Sequence, residues 1–424
     1  MGFQQGLSGL NTSSKSLDVI GNNVANASVV GFKPFRAQFA DVFAASLNGG
    51  GTNNVGIGSA LSAVTQQFLQ GNISVTSNPL DVAINGNGFF RMSDNGTIGY
   101  SRNGQFQVDK DGYVVNDEQH HLTGYLADSA GNIIASSPVD IKINTADLLP
   151  AATAKQTVGI NMDARSSTIT AQFDPNDATT FNNSTSQTVY DSLGNPHTQA
   201  LYFQKGAANT WNVYMTVDGT GVNLNDAMPA ANVPGTPTIL PAQMVFGTNG
   251  TLTSRDTFPA AQPNHLLSAT YTASGATAQT FDINIGTFTQ FGSIFSVNKQ
   301  TQDGYSSGRL SGISIGSDGT LQGRYSNGQS RNMAQIVLAN FSNPQGLQPK
   351  GGNEWSETPA SGGPLVGVPG SSSLGLLQSS AVEESKVDLT EELVNMITAQ
   401  RVYQANAQTI KTQDQVLQTL VSLR

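Results

Sequence analysis

The chain has 424 residues, no cysteine, a formal net charge of −9 and only 12% charged residues. The missing cysteine excludes disulfides, thiolate nucleophiles, iron–sulfur clusters and zinc ribbons, and 20 basic against 29 acidic residues give no electrostatic footprint for nucleic acid. No apolar run approaches the ~20 residues of a membrane span, and the opening MGFQQGLSGL has neither the basic nor the apolar region of a signal peptide.

In chain order, Phe3, Leu7, Leu10, Ser14, Leu17, Gly21 and Val24 recur at alternating spacings of four and three. This spacing predicts an amphipathic helix that fails by Gly31, with Pro34 beyond it. Phe32, Phe35, Phe39 and Phe43 keep a near-helical spacing, but Gly49-Gly50-Gly51 follows closely. Residues 32–70 therefore read as a linker of undecided structure.

The middle reads as β. Trp211, Val213, Met215 and Val217 alternate with Asn212, Tyr214 and Thr216, and Phe281, Ile283 and Ile285 alternate with Asp282 and Asn284. Asn103-Gly104, Asp111-Gly112, Asn249-Gly250, Asp318-Gly319 and Asn327-Gly328 are hairpin signals.

The last forty residues carry the clearest pattern. Leu389, Leu393, Met396, Gln400, Tyr403, Ala407, Ile410, Asp414, Leu417 and Val421 form a heptad seam broken only by Gln400 and Asp414. Asp388 is placed to cap the helix, with Glu391 in capping-box position. Glu391 and Glu392 suit the positive end of the helix dipole, Lys411 and Arg424 the other. Some 35 residues make a rod of about 50 Å.

One amphipathic helix cannot bury its own stripe. Stripes at both ends of a chain predict mutual packing, packing with other copies, or both. The expected fold is multidomain: paired, coiled-coil-like terminal α-helices carrying two nested, mainly antiparallel all-β domains. The helical part is residues 1–71 and 372–424, an inner β domain 72–145 and 291–371, and an outer β domain 146–290.

Catalytic and ligand-binding patterns are weak. Asp109, Asp111, Gly112 and Glu118 fall at calcium-loop spacing, but Gln107 occupies the first ligand position and no helices flank it, so a β-turn is the better reading. His120 and His121 are adjacent, and neighbours in a strand point to opposite faces, which disfavours a shared metal. No G-x-S-x-G elbow occurs, and Gly86-Asn87-Gly88 lacks the third glycine of a dinucleotide fingerprint. No catalytic, cofactor or metal residue is assigned, and no enzyme is expected. A β-rich extracellular adhesin or glycan binder would suit the sparsely charged surface, but it would not need heptads at both ends.

The termini resemble a known family. Residues 20–33, with Asn22, Asn23, Ala25, Asn26, Gly31, Phe32 and Lys33, are similar to the N-terminal signature of bacterial flagellar rod and hook proteins. The run from Ser385 through Val387-Asp388-Leu389-Thr390-Glu391-Glu392-Leu393 to Ala407 resembles the matching C-terminal signature, and Gln408–Asp414 that of the hook members. Leu80–Phe90, Ser101-Arg102-Asn103-Gly104 and Gln302-Asp303-Gly304-Tyr305 resemble the shared β domain, and Val189–Asn195 the outer domain of hook members. Val29 replaces the usual Thr and Lys386 the usual Asn.

The resemblance implies a structural subunit, exported through the flagellar type III pathway, that polymerises with copies of itself into the extracellular hook. It also implies contacts with distal rod, hook cap and hook–filament junction proteins and with the export apparatus. No nucleic acid, membrane insertion or cofactor is implied. A distal rod subunit is the nearest rival, and the insertion at 146–290 argues against it.

Overall fold

A computed structural model describes residues 2–42, 56–224, 239, 241–255 and 264–422. Phe43, Gly49-Gly50-Gly51 and Arg424 lie outside the described residues. Two helices, α1 (Gly2–Ala25) and α2 (Leu389–Ser422), stand at the ends of a body built of strands. Among the described residues no helix is long and apolar enough to cross a membrane. The chain divides into two compact units, one of residues 1–145, 312–324 and 330–424, the other of 146–311 and 325–329.

In the first unit, the segment left undecided is an antiparallel pair, β1 (Phe35–Val42) with β2 (Gly58–Gln66). Its near-helical phenylalanine spacing does not produce a helix, because pairing with a partner more than 15 residues on overrides a weak local period. Then come β3 (Ile73–Val75), β4 (Val82–Asn85), β5 (Phe89–Asp94), β6 (Thr97–Ser101), β7 (Gln107–Val108), β8 (Val114–Val115) and β9 (His121–Leu126). β5 pairs antiparallel with β6 and β9, and β6 with Glu354–Ser356. The core there is aromatic: Phe89, Tyr100, Phe341 and Trp355 are buried, with Phe68 against them. Phe89 and Phe68 meet Trp355 edge-on at 5.7 and 5.4 Å, a favoured geometry for ring quadrupoles. The Trp355 indole N–H donates to Gln66 Oε1 at 2.8 Å, fastening β2 to the core.

Among the described residues the second unit has two sheets. One orders Asn183–Tyr190, Pro196–Lys205, Thr210–Val217, Ala242–Phe246 and Leu252–Arg255, all antiparallel. In the other, Lys155–Asp163 pairs in parallel with Asp282–Asn284 and Thr289–Phe291 and antiparallel with Ser296–Gln302. The alternations read from the sequence identify its core: Trp211, Val213, Met215, Val217, Phe281, Ile283 and Ile285 are all fully buried. Leu148 bridges Gly308 and Ala151 bridges Tyr305, so the segments leading into and out of this unit run side by side.

Four of the glycines in the turn dipeptides, Gly112, Gly250, Gly319 and Gly328, have φ between 78° and 89°, as such turns require. Gly104 differs. Its N–C–O backbone lies against β4, accepting from the Val82 N–H at 2.8 Å, and a side chain would collide with the Val82 carbonyl. The Asp109–Gly112 segment is a turn: Asp109 Oδ1 accepts from the N–H groups of Asp111 and Tyr113 at 2.9 and 2.7 Å.

In the second unit, His197 lies between Asp218 (Nδ1 to Oδ2, 2.6 Å) and Asp191 (Nε2 to Oδ2, 3.4 Å). Burial opposes its charge, but the two carboxylates outweigh burial and raise its pKa. Burial likewise pushes Asp191 up, yet hydrogen bonds from Asn195, His197 and Leu193 prevail and hold it at about 2. A raised histidine pKa gives stability that is fully present below the unfolded value of ~6.5 and is lost as pH rises through the folded value. Urea denaturation should therefore show this unit weakening from pH 6 to pH 8. His197→Gln should flatten that slope, and an unchanged slope would reject the assignment.

Candidate assembly site: the terminal helices and their junction

α2 begins where the sequence places it. Asp388 Oδ1 accepts from the N–H groups of Thr390 and Glu391 at 2.8 and 3.2 Å, covering two orphan donors of the first turn. The reciprocal Glu391 bond of a capping box is absent among the described residues. Its neighbour Glu392 instead accepts from Asn23 Nδ2 on α1 at 2.9 Å.

The helices lie antiparallel. Asn23 meets Glu392 near one end, while Gly9 faces Asn406 and Gly6 faces Ile410 near the other. A Cβ on Gly9 would come within 2.7 Å of the Asn406 side chain, and one on Gly6 within 3.0 Å of Ile410. Small residues thus set the approach. The buried positions of α1 are Gly6, Ser13, Ile20 and Asn23, a stripe adjacent to the one read from the sequence. Of that predicted stripe, Phe3 and Leu7 are exposed, while Leu10, Leu17 and Val24 are half-buried. The reason is steric: glycine and serine admit a neighbouring helix closely, and the bulkier leucines then face elsewhere.

α2 buries no residue fully. Met396, Tyr403, Ala407 and Ile410 are half-buried, whereas Leu389, Leu393, Leu417 and Val421 are exposed, Val421 at 78%. From Asp414 to Ser422 every residue is exposed. That overhang beyond the α1 contact is about 13 Å at 1.5 Å per residue. The predicted C-terminal seam is split between a part against α1 and a part without cover in the single chain.

The N-terminal signature leads off α1 into a junction. Asn22 and Ala25 are exposed and Asn26 half-buried, but Asn23, Gly31, Phe32 and Lys33 are buried. Asn23 clamps the start of β1, donating to the Phe35 carbonyl at 2.9 Å and accepting from the Phe35 N–H at 2.8 Å. Gly31 has φ +72° and donates to the Glu383 carbonyl at 2.8 Å; any side chain there would strike the backbone of Arg102 and Asn103.

Lys33 is fully buried. Its ammonium donates to Glu383 Oε1 and to the Leu69 carbonyl, both at 2.6 Å. Glu383 Oε1 also accepts from the Gly71 N–H at 2.8 Å, and Arg102 Nη1 lies 3.3 Å from Oε2. Arg102 further donates to the Gly86 carbonyl at 2.8 Å. Burial lowers the pKa of both cations, and Glu383 works against that shift. Two buried cations share one buried anion. Lys33 lay within the signature read from the sequence. Glu383 and Arg102 were not singled out as its partners, because 350 and 69 residues separate them from it.

Family profiles match four segments: residues 3–33 to "Flagella basal body rod protein", 83–172 to "Flagellar hook protein FlgE/F/G D1 domain", 161–305 to "Flagellar basal body protein FlaE D2 domain" and 378–423 to "Flagellar basal body rod FlgEFG protein C-terminal". The flagellar hook proteins FlgE of Salmonella typhimurium and Escherichia coli are each 42% identical, with all of both chains covered. That of Borreliella burgdorferi is 32% identical over 99% of this chain and 98% of its own. The Helicobacter pylori flagellar hook protein FlgE2 has a similar fold, at TM-score 0.51 and 14% identity, over 73% of this chain and all of that one. With its terminal signatures, β body and full-length relatives in agreement, the chain belongs to the flagellar hook protein FlgE family.

Proposed function

We propose that the chain is a structural subunit, not an enzyme, that polymerises with copies of itself into the extracellular flagellar hook, a curved tube transmitting torque from rod to filament. The observation that carries this reading is α2: 34 residues of helix with no residue fully buried and a row of exposed leucines and valines. An amphipathic stripe of that length needs a cover, and helices of neighbouring copies supply it in a contact that repeats without closing. Phe3, Leu7, Leu10, Leu17 and Val24 on α1, and Leu389, Leu393, Leu417 and Val421 on α2, form the seams toward those neighbours, in coiled-coil-like packing. Met396, Tyr403, Ala407 and Ile410 contribute to both the internal pair and the neighbour contacts.

On this reading the terminal segments 1–71 and 372–424 form the inner wall. A β domain of 72–145 with most of 312–371 and a second, nested one of 146–311, whose sheet includes Ser296–Gln302, form outer layers. The same surfaces meet the distal rod, hook cap and hook–filament junction proteins, and the chain leaves the cell through the flagellar type III apparatus. Electron microscopy of the purified protein under assembly conditions tests the reading. Tubes are expected; chains that remain monomeric at all concentrations and salts would overturn it.

A further inference from the structure

His120 and His121 diverge: His120 ends the turn before β9 and His121 opens the strand. His121 stacks on Tyr113 at 4.5 Å and pairs with Asp140 at 2.7 Å. His120 enters a group of carboxylates. Its Nδ1 lies 2.8 Å from Glu354 Oε1 and 3.9 Å from Glu118 Oε2, and its Nε2 lies 3.8 Å from Asp94 Oδ2. The ligand atoms of Glu118, His120 and Glu354 all lie within 4.8 Å of one another.

Glu354 is only 2% exposed. A buried carboxylate requires a compensating positive charge, and among the described residues no Lys or Arg lies within ion-pair distance of Asp94, Glu118 or Glu354. One imidazole faces three carboxylates.

The site is held from several sides. Asn116 orders the turn, its Oδ1 accepting from the N–H groups of Glu118 and His120 at 3.1 and 2.8 Å, while its Nδ2 donates to Glu354 Oε1 at 3.0 Å. Gly352, at φ +57°, leaves the space into which the Glu118 carboxylate fits; a Cβ there would collide with it.

We propose that Glu118, His120 Nδ1 and Glu354 bind a divalent metal cation of the Zn²⁺ class, with Asp94, 3.8 Å from His120 Nε2, as a further carboxylate beside the ring. Zinc takes nitrogen and carboxylate oxygen ligands at about 2.0–2.2 Å in a tetrahedron, which sets ligand atoms about 3.3 Å apart. The 2.8 and 3.9 Å separations bracket that value. Both are measured to Nδ1, and Nε2 lies on the side of Asp94. The mixed imidazole–carboxylate set favours zinc over calcium or magnesium, which prefer oxygen alone. Glu118 is 42% exposed, so the fourth ligand is water and the cation enters from solvent. The bound ion would staple the turn before β9 to the Glu354–Ser356 strand.

Calorimetric titration of the full chain at monomeric concentration with Zn²⁺ alone, and absorption spectra with Co²⁺ in its place, test the proposal. One Zn²⁺ per chain is expected, with Co²⁺ giving tetrahedral d–d bands. His120→Gln and Glu118→Gln should each weaken binding about tenfold or more and remove those bands, while His265→Gln leaves both unchanged. Glu118 is partly exposed, so Glu118→Gln remains informative if His120→Gln fails to fold. The proposal is overturned by the absence of saturable one-to-one binding, by unaltered affinity in Glu118→Gln, or by Ca²⁺ displacing Zn²⁺ at equal concentration.

Discussion

Leu393→Asp abolishes tube formation while leaving the single chain folded. Leu393 is 49% exposed on α2. In the monomer the substitution therefore costs only the difference in helix propensity, about 0.7 kcal/mol or less, and the loss of a partly covered side chain, about 1 kcal/mol. In the proposed tube wall the same position faces a neighbouring helix, and an unpaired charge there costs several kcal/mol per subunit. A penalty repeated at every contact stops growth. Ile410→Asp gives a contrasting result. Ile410 lies half-buried against Gly6, so its replacement weakens the α1–α2 pair as well as the proposed neighbour contacts. Sedimentation and electron microscopy measure assembly, and circular dichroism measures the fold. Normal tubes from Leu393→Asp would remove it from the seam; a lost β signal would mean that the position supports the monomer.

The second large effect is at the junction. Glu383→Ala leaves Lys33 and Arg102 buried without an anion and strips the Gly71 N–H of its acceptor. Breaking a buried ion cluster from one side costs about 3–5 kcal/mol. For a unit of this size each kcal/mol moves the melting temperature by about 2–4 °C, so a fall of roughly 10 °C is expected in the transition of the first unit. Lys33→Met should be milder, because it leaves one cation with one anion. The double variant Lys33→Met with Glu383→Leu should recover part of the loss of Glu383→Ala. Scanning calorimetry reads all three, with Glu384→Gln, an exposed neighbour, as the control. Equal effects from Lys33→Met and Glu383→Ala would refute the charge accounting.

Those two sites mark the range of what the sequence discloses. The Asp388 cap and the extent of α2 are local, needing only residues three or four apart, and both could be read directly. The alternation around Trp211 and Ile283 identified buried strand faces for the same reason. The face of α1 that meets α2 could not be read so simply. Apolar periodicity points to Leu7, Leu10 and Leu17, whereas close approach is governed by Gly6, Gly9 and Ser13, which carry no hydrophobic signal. The β1–β2 pair was hidden because Phe35 and Phe39 mimic a helical period and the deciding partner lies across a long connection. Glu383 and Arg102 show only in three dimensions: nothing local marks a glutamate as the counter-ion of a lysine 350 positions earlier.

The side-by-side strands at the base of the second unit have a consequence for variation. Leu148 N–H donates to the Gly308 carbonyl at 2.7 Å, and Ala151 and Tyr305 exchange bonds at 3.0 and 2.9 Å. These pairings close a loop of more than 150 residues at its neck. Closure entropy grows only with the logarithm of loop length, so lengthening, shortening or replacing what lies beyond Ala151 and Tyr305 alters the cost of that neck very little. The second unit is thus the part of the chain in which insertions and deletions would disturb the neck least. It is also the natural place to graft a foreign domain whose own ends lie close together.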